Sequence, residues 1–412
     1  MDRSAFTKSV TPTQHAAIAA WWKAFAEAEE QIDQFFSNKD RSFDVVAFMR
    51  THLGAVSPLL GWEFGPPVAG KSHRLVLTPE SYKNLRPLVQ AILKAAPPAS
   101  RFEFYPYRLP DTVKQAEFVM KGRTGWENIA AIDYEITPGQ FNTFDLHYYL
   151  PWDGDEDELT GKALVLTETL LGEERLDKWV GIIDIKKKAP ASQGLMAKFG
   201  LATKEQGSPI AGLRADFEAR IAAAKAAFVP YRQLVNEQTK WCLFEFEPKD
   251  QDAPDYAAKE DILVSPFVDA NLMRATMQGG SAFYSERFSR DETFIYLKLD
   301  AAADDINLEI FEDRAAIETA LGDALEPANL GCTLGGGTGR RYSYVDMAVT
   351  DLNAAIPLIR ETLRAGKLTK RSWLLFQDAD LQSEWIGIWD DSPMPPASPV
   401  LEGGSQEGIR AG

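Results

Sequence analysis

Cysteine and histidine are scarce in this chain: its 412 residues include two cysteines, Cys242 and Cys332, and four histidines, His15, His52, His73 and His147. There is no C-x-x-C pair, which removes the usual thiolate metal sites and redox disulfides. Both cysteines stand among apolar, strand-forming neighbours, where a cysteine behaves as a small buried hydrophobe. No histidine falls in a recognised catalytic pattern and no G-x-S-x-G occurs, so covalent catalysis has no motif to rest on. Long apolar runs are also missing. Nothing approaches the roughly 20 residues that cross a bilayer, and Met1-Asp2-Arg3-Ser4-Ala5-Phe6 lacks the apolar core of a signal peptide. A cytoplasmic location is expected. Positive charge is the last shortage, with 44 Lys and Arg against 60 Asp and Glu, a formal net charge of −16. Such a chain repels phosphate backbones and anionic lipid surfaces, which argues against nucleic acid or membrane as partner and favours a protein with a basic surface.

What is present reads as a globular protein: apolar residues make up 45% and charged residues 25%, enough to bury a core without disulfide staples. The stretch from Asp313 to Trp389 organises the reading, because its opening part is echoed near the other end of the chain. Pro327, Leu330-Gly331, Leu334-Gly335 and Pro357-Leu358-Ile359 have counterparts at nearly constant spacing in Pro58, Leu60-Gly61, Phe64-Gly65 and Pro87-Leu88-Val89. Both stretches read helix, strand, strand, helix, strand. The closing strand Trp385 to Asp390 is echoed by Trp179 to Asp184 at a shorter spacing, which implies an insertion after about Tyr107 in the first copy. The strand at Ser372 pairs in this scheme with Phe102 to Tyr105 or with Leu164 to Thr167, and both remain open.

The expected fold class is therefore α+β: two related units of mainly antiparallel sheet, each with helices packed on one face. An amphipathic helix within residues 1–40 carries Ile18, Trp22, Phe25, Ile32 and Phe36 at helical spacing and packs on the first unit, residues 41–188. That unit contains an inserted hairpin, Ile129 to Ile136 and Phe144 to Leu150, around Pro138-Gly139. Residues 189–255 supply a linker and a connecting helix marked by Leu213, Phe217, Ile221 and Phe228, and residues 256–391 the second unit. Its helix after Asp351 is expected to become regular only near Ala354, because Pro357 lacks the N–H a helix interior needs. Residues 392–412 turn to Pro, Ser and Gly and read as a disordered tail.

Trp22, Phe25, Glu29 and Glu30, followed by Phe64-Gly65-Pro66 and Ala95-Ala96-Pro97, resemble the opening of an uncharacterised bacterial family that begins with a W-x-W-F-x-x-N-E helix. The likeness spans roughly the first 185 residues and includes the Leu171-Gly172-Glu173 turn. Ala24 and Ala28 stand where that pattern has its second tryptophan and its asparagine. The resemblance implies a bacterial domain and carries no activity with it.

Three clusters are weighed for chemistry. Gly335 to Gly339 lacks the lysine and following helix of a phosphate-binding loop, so it reads as a glycine-rich connection between strands, with no nucleotide cofactor expected. On the strand after it, alternation places Tyr342, Tyr344 and Asp346 on one face beside Arg340 and Arg341. That grouping suits a binding contact, or the solvated face of an antiparallel sheet. In the hairpin, Asp133, Glu135, Asp145 and His147 share parity and form a candidate metal or acid–base set. Asp153, Asp155 and Asp157 begin like a calcium loop, but Glu158 replaces its glycine and Leu164 its bidentate glutamate.

Two functions follow. One is an acidic, non-enzymatic protein-binding protein of the immunity or regulatory kind. The alternative is a carboxylate-rich hydrolase or small-ligand enzyme, with or without a metal.

Overall fold

The computed structural model describes residues 10–98, 100–188, 207–236, 238–248, 255–277, 282–305, 307 and 309–396. Residues 189–206 of the expected linker and 397–412 of the expected tail lie outside them. The chain divides into two compact units. The first holds 1–229, 274–290 and 378–383, and the second 230–273, 291–377 and 384–412. In chain order the elements are α1 (Pro12–Phe36), α2 (Val45–His52), β1 (Gly61–Gly65), β2 (His73–Thr78), α3 (Arg86–Lys94), β3 (Phe102–Tyr105), α4 (Val113–Thr124), β4 (Asp133–Pro138), β5 (Phe144–Leu150), α5 (Glu156–Leu171), α6 (Glu173–Trp179), β6 (Val180–Lys187), β7 (Ser208–Pro209), α7 (Leu213–Ala227), α8 (Tyr231–Leu234), β8 (Cys242–Glu245), β9 (Ile262–Phe267), α9 (Ala270–Met277), β10 (Thr293–Asp300), α10 (Arg314–Leu325), β11 (Gly331–Gly339), β12 (Tyr342–Val349), α11 (Leu352–Ala365), β13 (Ser372–Phe376) and β14 (Trp385–Gly387). The class is α+β, and every described strand pair is antiparallel except β2/β3 and β5/β6.

The first unit contains two sheets, each with its own core. Thr11 opens α1 with a capping box: its hydroxyl accepts from Gln14 N at 3.2 Å while the Gln14 side chain accepts from Thr11 N at 2.9 Å, satisfying two of the N–H groups a helix start leaves orphaned. The buried stripe of α1, including Trp21, Trp22, Phe25 and Ile32, packs with Leu75 and Leu77 of β2 and Phe102 of β3. Trp22 Nε1 donates to Ile92 O at 2.7 Å, so the indole is buried with its polar atom paired. The second sheet, in the order β6-β5-β4-β7, buries Tyr134, Ile136, Leu146 and Tyr148 against Leu166 and Leu170 of α5. Leu213, Phe217 and Ile221 of α7, read from sequence as part of a connector, belong to this same core. Asp155, in the acidic loop, caps α5 by accepting from Glu158 N at 3.0 Å.

The second unit is built on one sheet in the order β14-β13-β10-β12-β11-β9-β8. Register separates its faces. Ile295, Leu297 and Leu299 of β10 stand beside Met347, Val345 and Ser343 of β12 and Phe376, Leu374 and Ser372 of β13. The intervening residues point the other way, as strand alternation requires. Helices α10 and α11 pack on each other, and α10 lies on β11 and β12, with Ile317, Leu321, Ile356, Ile359 and Leu363 buried. Helix α11 begins at Leu352, earlier than the expected Ala354, with the Asp351 carboxylate accepting from Asn353 N at 2.9 Å. Pro357 sits inside it.

The two segments proposed as copies share an element order and build different sheets. Strands β2 and β3 are parallel neighbours, whereas β10 stands between β12 and β13, antiparallel to both. Strand β6 pairs with β5 in the second sheet of the first unit, while β14 pairs with β13. Residues 164–167, one of the two candidate partners for the Ser372 strand, lie within α5.

Glycines 335–339 form a connection in the sequence reading and strand β11 in the structure. Gly335 has φ 119°, and a Cβ there would stand 2.2 Å from Pro266 O. At Gly336 it would meet Tyr344 O at 2.1 Å, and at Gly337 the Ile262 side chain at 2.4 Å. The glycines are there because neighbouring strands and side chains come too close for any other residue, a use of glycine inside a sheet that its bias toward turns conceals.

Candidate functional site

The hairpin set keeps its predicted parity and does not converge. Glu135 stands across from His147 and Thr137 from Asp145, with Asp133 one step along. Each side chain has its own partner. Asp133 pairs with Lys188 at 2.5 Å, Glu135 accepts from Tyr149 Oη at 2.8 Å, and Asp145 accepts from Ile182 N at 2.8 Å. His147 lies between Asp184, 2.9 Å from Nδ1, and Thr137, 3.0 Å from Nε2. Among the described residues, no three His, Cys, Asp or Glu side chains are grouped so as to hold a metal ion.

The face expected at β12 is real, but it is interior. Tyr342 and Tyr344 have no exposed surface and Asp346 has 3%, which corrects the picture of a contact face open to solvent. Of the five residues, only Arg340 is exposed. Arg341 donates to Asp300 at 2.8 Å. Register sets Lys298 between Tyr344 and Trp373, and Tyr296 between Asp346 and Leu375. The segment 255–261 supplies the partners. Tyr342 Oη donates to Asp255 and Tyr344 Oη to Asp261. Asp261 also accepts from the backbone N–H groups of Arg341 and Tyr342 at 2.8 and 2.9 Å. Lys259 pairs with Asp346 at 2.5 Å with both side chains buried, and Gln377 Nε2 donates to Asp346 at 3.0 Å.

Electrostatics in this cluster follow from burial. Lys298 has no exposed surface, donates to Tyr256 O and lies 4.0 Å from the centre of the Tyr342 ring. Burial pushes its ammonium down to about 8, although Asp261, Asp255 and Glu260 pull the other way. Burial, reinforced by Asp261, holds the Tyr344 phenol far above its ordinary range. Burial would raise Asp300, but hydrogen bonds from Arg341 and Arg371 outweigh it and hold the carboxyl below its usual value. Burial also pushes the Cys332 thiol up to about 12, so it is no thiolate nucleophile at neutral pH. A lysine with a depressed pKa is the type that attacks carbonyl carbons, but reaction there requires a substrate to reach a fully enclosed side chain.

An accessible feature of the second unit lies on the other side of its sheet, where an open groove of about 440 Å³ separates α10 from the sheet margin. Trp241, Pro266 and Thr333 line it from the sheet and Arg314 and Glu318 from the helix, with Asp323 in the last turn of α10 and Glu326 just past its end. Arg314 and Glu318 pair with each other one helical turn apart. Burial raises the Glu318 carboxyl, opposed by Arg314. Asp323 and Glu326 are exposed. Among the described residues no cation pairs with either. Trp241 is 48% exposed, and Leu243, opposite Pro266 in register, is 66% exposed.

No protein-family model matches this chain, and neither a curated protein nor a solved structure matches it. Sequence reasoning passed over Lys298, Lys259, Asp261 and the groove. The alternation Tyr296-Lys298-Asp300 against Ile295-Leu297-Leu299 was a readable signal for a two-faced strand. The groove had none, because Trp241 and Glu326 meet only through the sheet order.

Proposed function

We propose that this chain is a non-enzymatic protein-binding protein whose partner presents a basic surface. The groove beside α10 carries the proposal, with an exposed tryptophan on its sheet side and, at the end of its helix, the carboxylates of Asp323 and Glu326, which pair with no cation among the described residues. An aromatic anchor next to charge of one sign is the arrangement in which hot-spot burial gives affinity and complementary charge gives selectivity and encounter rate. The formal charge of −16 adds long-range attraction for a basic partner. The strongly perturbed groups around Lys298 are enclosed and bonded to one another, which suits a structural role for them. The test is affinity capture from the source cell at low and high salt, comparing the native chain with Asp323→Asn/Glu326→Gln. A basic partner retained by the native chain at low salt and lost from the variant supports the reading. Recovery of the same proteins by both rejects it.

A second reading, a carboxylate-dependent hydrolase, is favoured by one observation: His147 bridges Thr137 and Asp184 through its two ring nitrogens. Ester or phosphoester turnover by the native chain that disappears in His147→Ala is the result this reading requires.

A further inference from the structure

We propose that the partner docks by adding an extended, basic segment as an eighth strand beside β8, a mode that rests on the protein-binding reading and specifies it. Among the described residues, strand β8 closes one end of the seven-stranded sheet, with no strand on its outer side. Its register with β9 opposes Cys242 to Phe267, Leu243 to Pro266, Phe244 to Ser265 and Glu245 to Val264, and just beyond it Phe246 N donates to Leu263 O at 2.8 Å. In an antiparallel ladder, bonded and non-bonded pairs alternate. Phe244 and Cys242 therefore direct their N–H and C=O groups at β9, and Leu243 and Glu245 direct theirs at the open edge. Pro266 agrees with this phase, since it has no N–H and stands in a non-bonded pair with Leu243. On its other side the Ser265 hydroxyl donates to Gly336 O at 2.8 Å.

The open edge is therefore a row of donors and acceptors flanked by an apolar side chain, the arrangement that accepts an added strand. Leu243 shares a face with Pro266, which lines the groove. A strand laid along β8 places alternate side chains on that face, next to Leu243 and Trp241. Charge selects the occupant. Glu245 on the edge is exposed, as are Asp323 and Glu326, and the groove's arginine is already paired with Glu318. A segment whose groove-side positions set apolar residues beside Trp241 and Leu243 and a lysine or arginine beside Glu245 matches both the apolar strip and the acidic groove on that one face. A second copy of this chain brings another −16 and is disfavoured.

The probe is a short fluorescent valine/lysine peptide in which valine and lysine take turns along one strand face with threonine between them, and valine/glutamate and helix-forming leucine/lysine peptides serve as controls. Leu243→Pro removes one outward N–H and leaves the β8–β9 bonds in place, because an edge position can take proline where its N–H faces solvent. The valine/lysine peptide is expected to bind at low salt, to bind Leu243→Pro about tenfold more weakly, since a net hydrogen bond and the Leu243 contact together are worth roughly that factor, and to slow amide exchange at Leu243 and Glu245 of the native chain. The exchange measurement needs no variant, so it stands if Leu243→Pro misfolds. Equal binding to the native chain and Leu243→Pro without amide protection, but lost in Asp323→Asn/Glu326→Gln, overturns strand addition and leaves the groove reading intact. Preference for the helical peptide overturns it as well, and so does self-association of the chain that protects the same amides. No binding of either basic peptide at low salt overturns both.

Discussion

Lys298 offers a direct measure of how much charge burial costs the second unit. Its ammonium is enclosed and pushed down from 10.5 to about 8, and every tenfold change in a proton-binding constant corresponds to about 1.36 kcal/mol. The folded state therefore disfavours the charged lysine by roughly 3 kcal/mol, an order-of-magnitude figure. Because the folded pKa is the lower one, the unfolded chain binds more protons between pH 8 and 10.5, and stability rises with pH across that window. Replacing Lys298 with methionine keeps the side-chain volume and removes the titration. Urea unfolding of the native chain and Lys298→Met at several pH values should show the native chain gaining roughly 3 kcal/mol on the variant between pH 8 and 10.5, and neither gaining on the other between pH 6 and 7.5. The lost hydrogen bond to Tyr256 O offsets the two curves by a constant, so the slope carries the test. Tyr342 and Tyr344 are raised in both proteins and cancel in the difference. A difference that stays flat from pH 8 to 10.5 refutes the claim that Lys298 is held against its charged form.

Other outcomes follow from close packing and paired charge. Gly336→Ala puts a Cβ against Tyr344 O and should lower unfolding stability by roughly 2 kcal/mol or more, with an unchanged midpoint counting against β11 as a tightly packed strand. Lys259→Ala leaves the buried Asp346 carboxylate without its ammonium and should cost roughly 3–5 kcal/mol, most of it recovered in Lys259→Met/Asp346→Leu. His147→Gln should change stability by less than about 1 kcal/mol, since its Asp184 partner is substantially exposed. In thermal melts with zinc and manganese the native chain and His147→Gln should behave alike, and stabilisation of the native chain alone would revive the hairpin as a metal centre.

Local pattern was enough to read much of this protein from its residues. Helical spacing located α1 and its buried Trp22, Phe25 and Ile32, and alternation located the β4–β5 hairpin with Tyr134 and Leu146 inward. Helix α11 was legible too, with its start expected two residues late, at Ala354 instead of Leu352. These features depend on periods of two and 3.6 residues and on capping chemistry, all confined to a few neighbours along the chain. Alternation also put Tyr342, Tyr344 and Asp346 on one face correctly. What covers that face was not in the pattern, because the partners Asp255, Lys259 and Asp261 lie far away in sequence and arrive only through the ladder β12-β11-β9. Tertiary structure likewise turned the glycine run into a strand, since the reason for glycine there is the approach of Pro266, Tyr344 and Ile262. It alone decided which strand has an open edge. Being last in a sheet is a property of the assembled order β11-β9-β8, and no local rule assigns it to Cys242–Glu245.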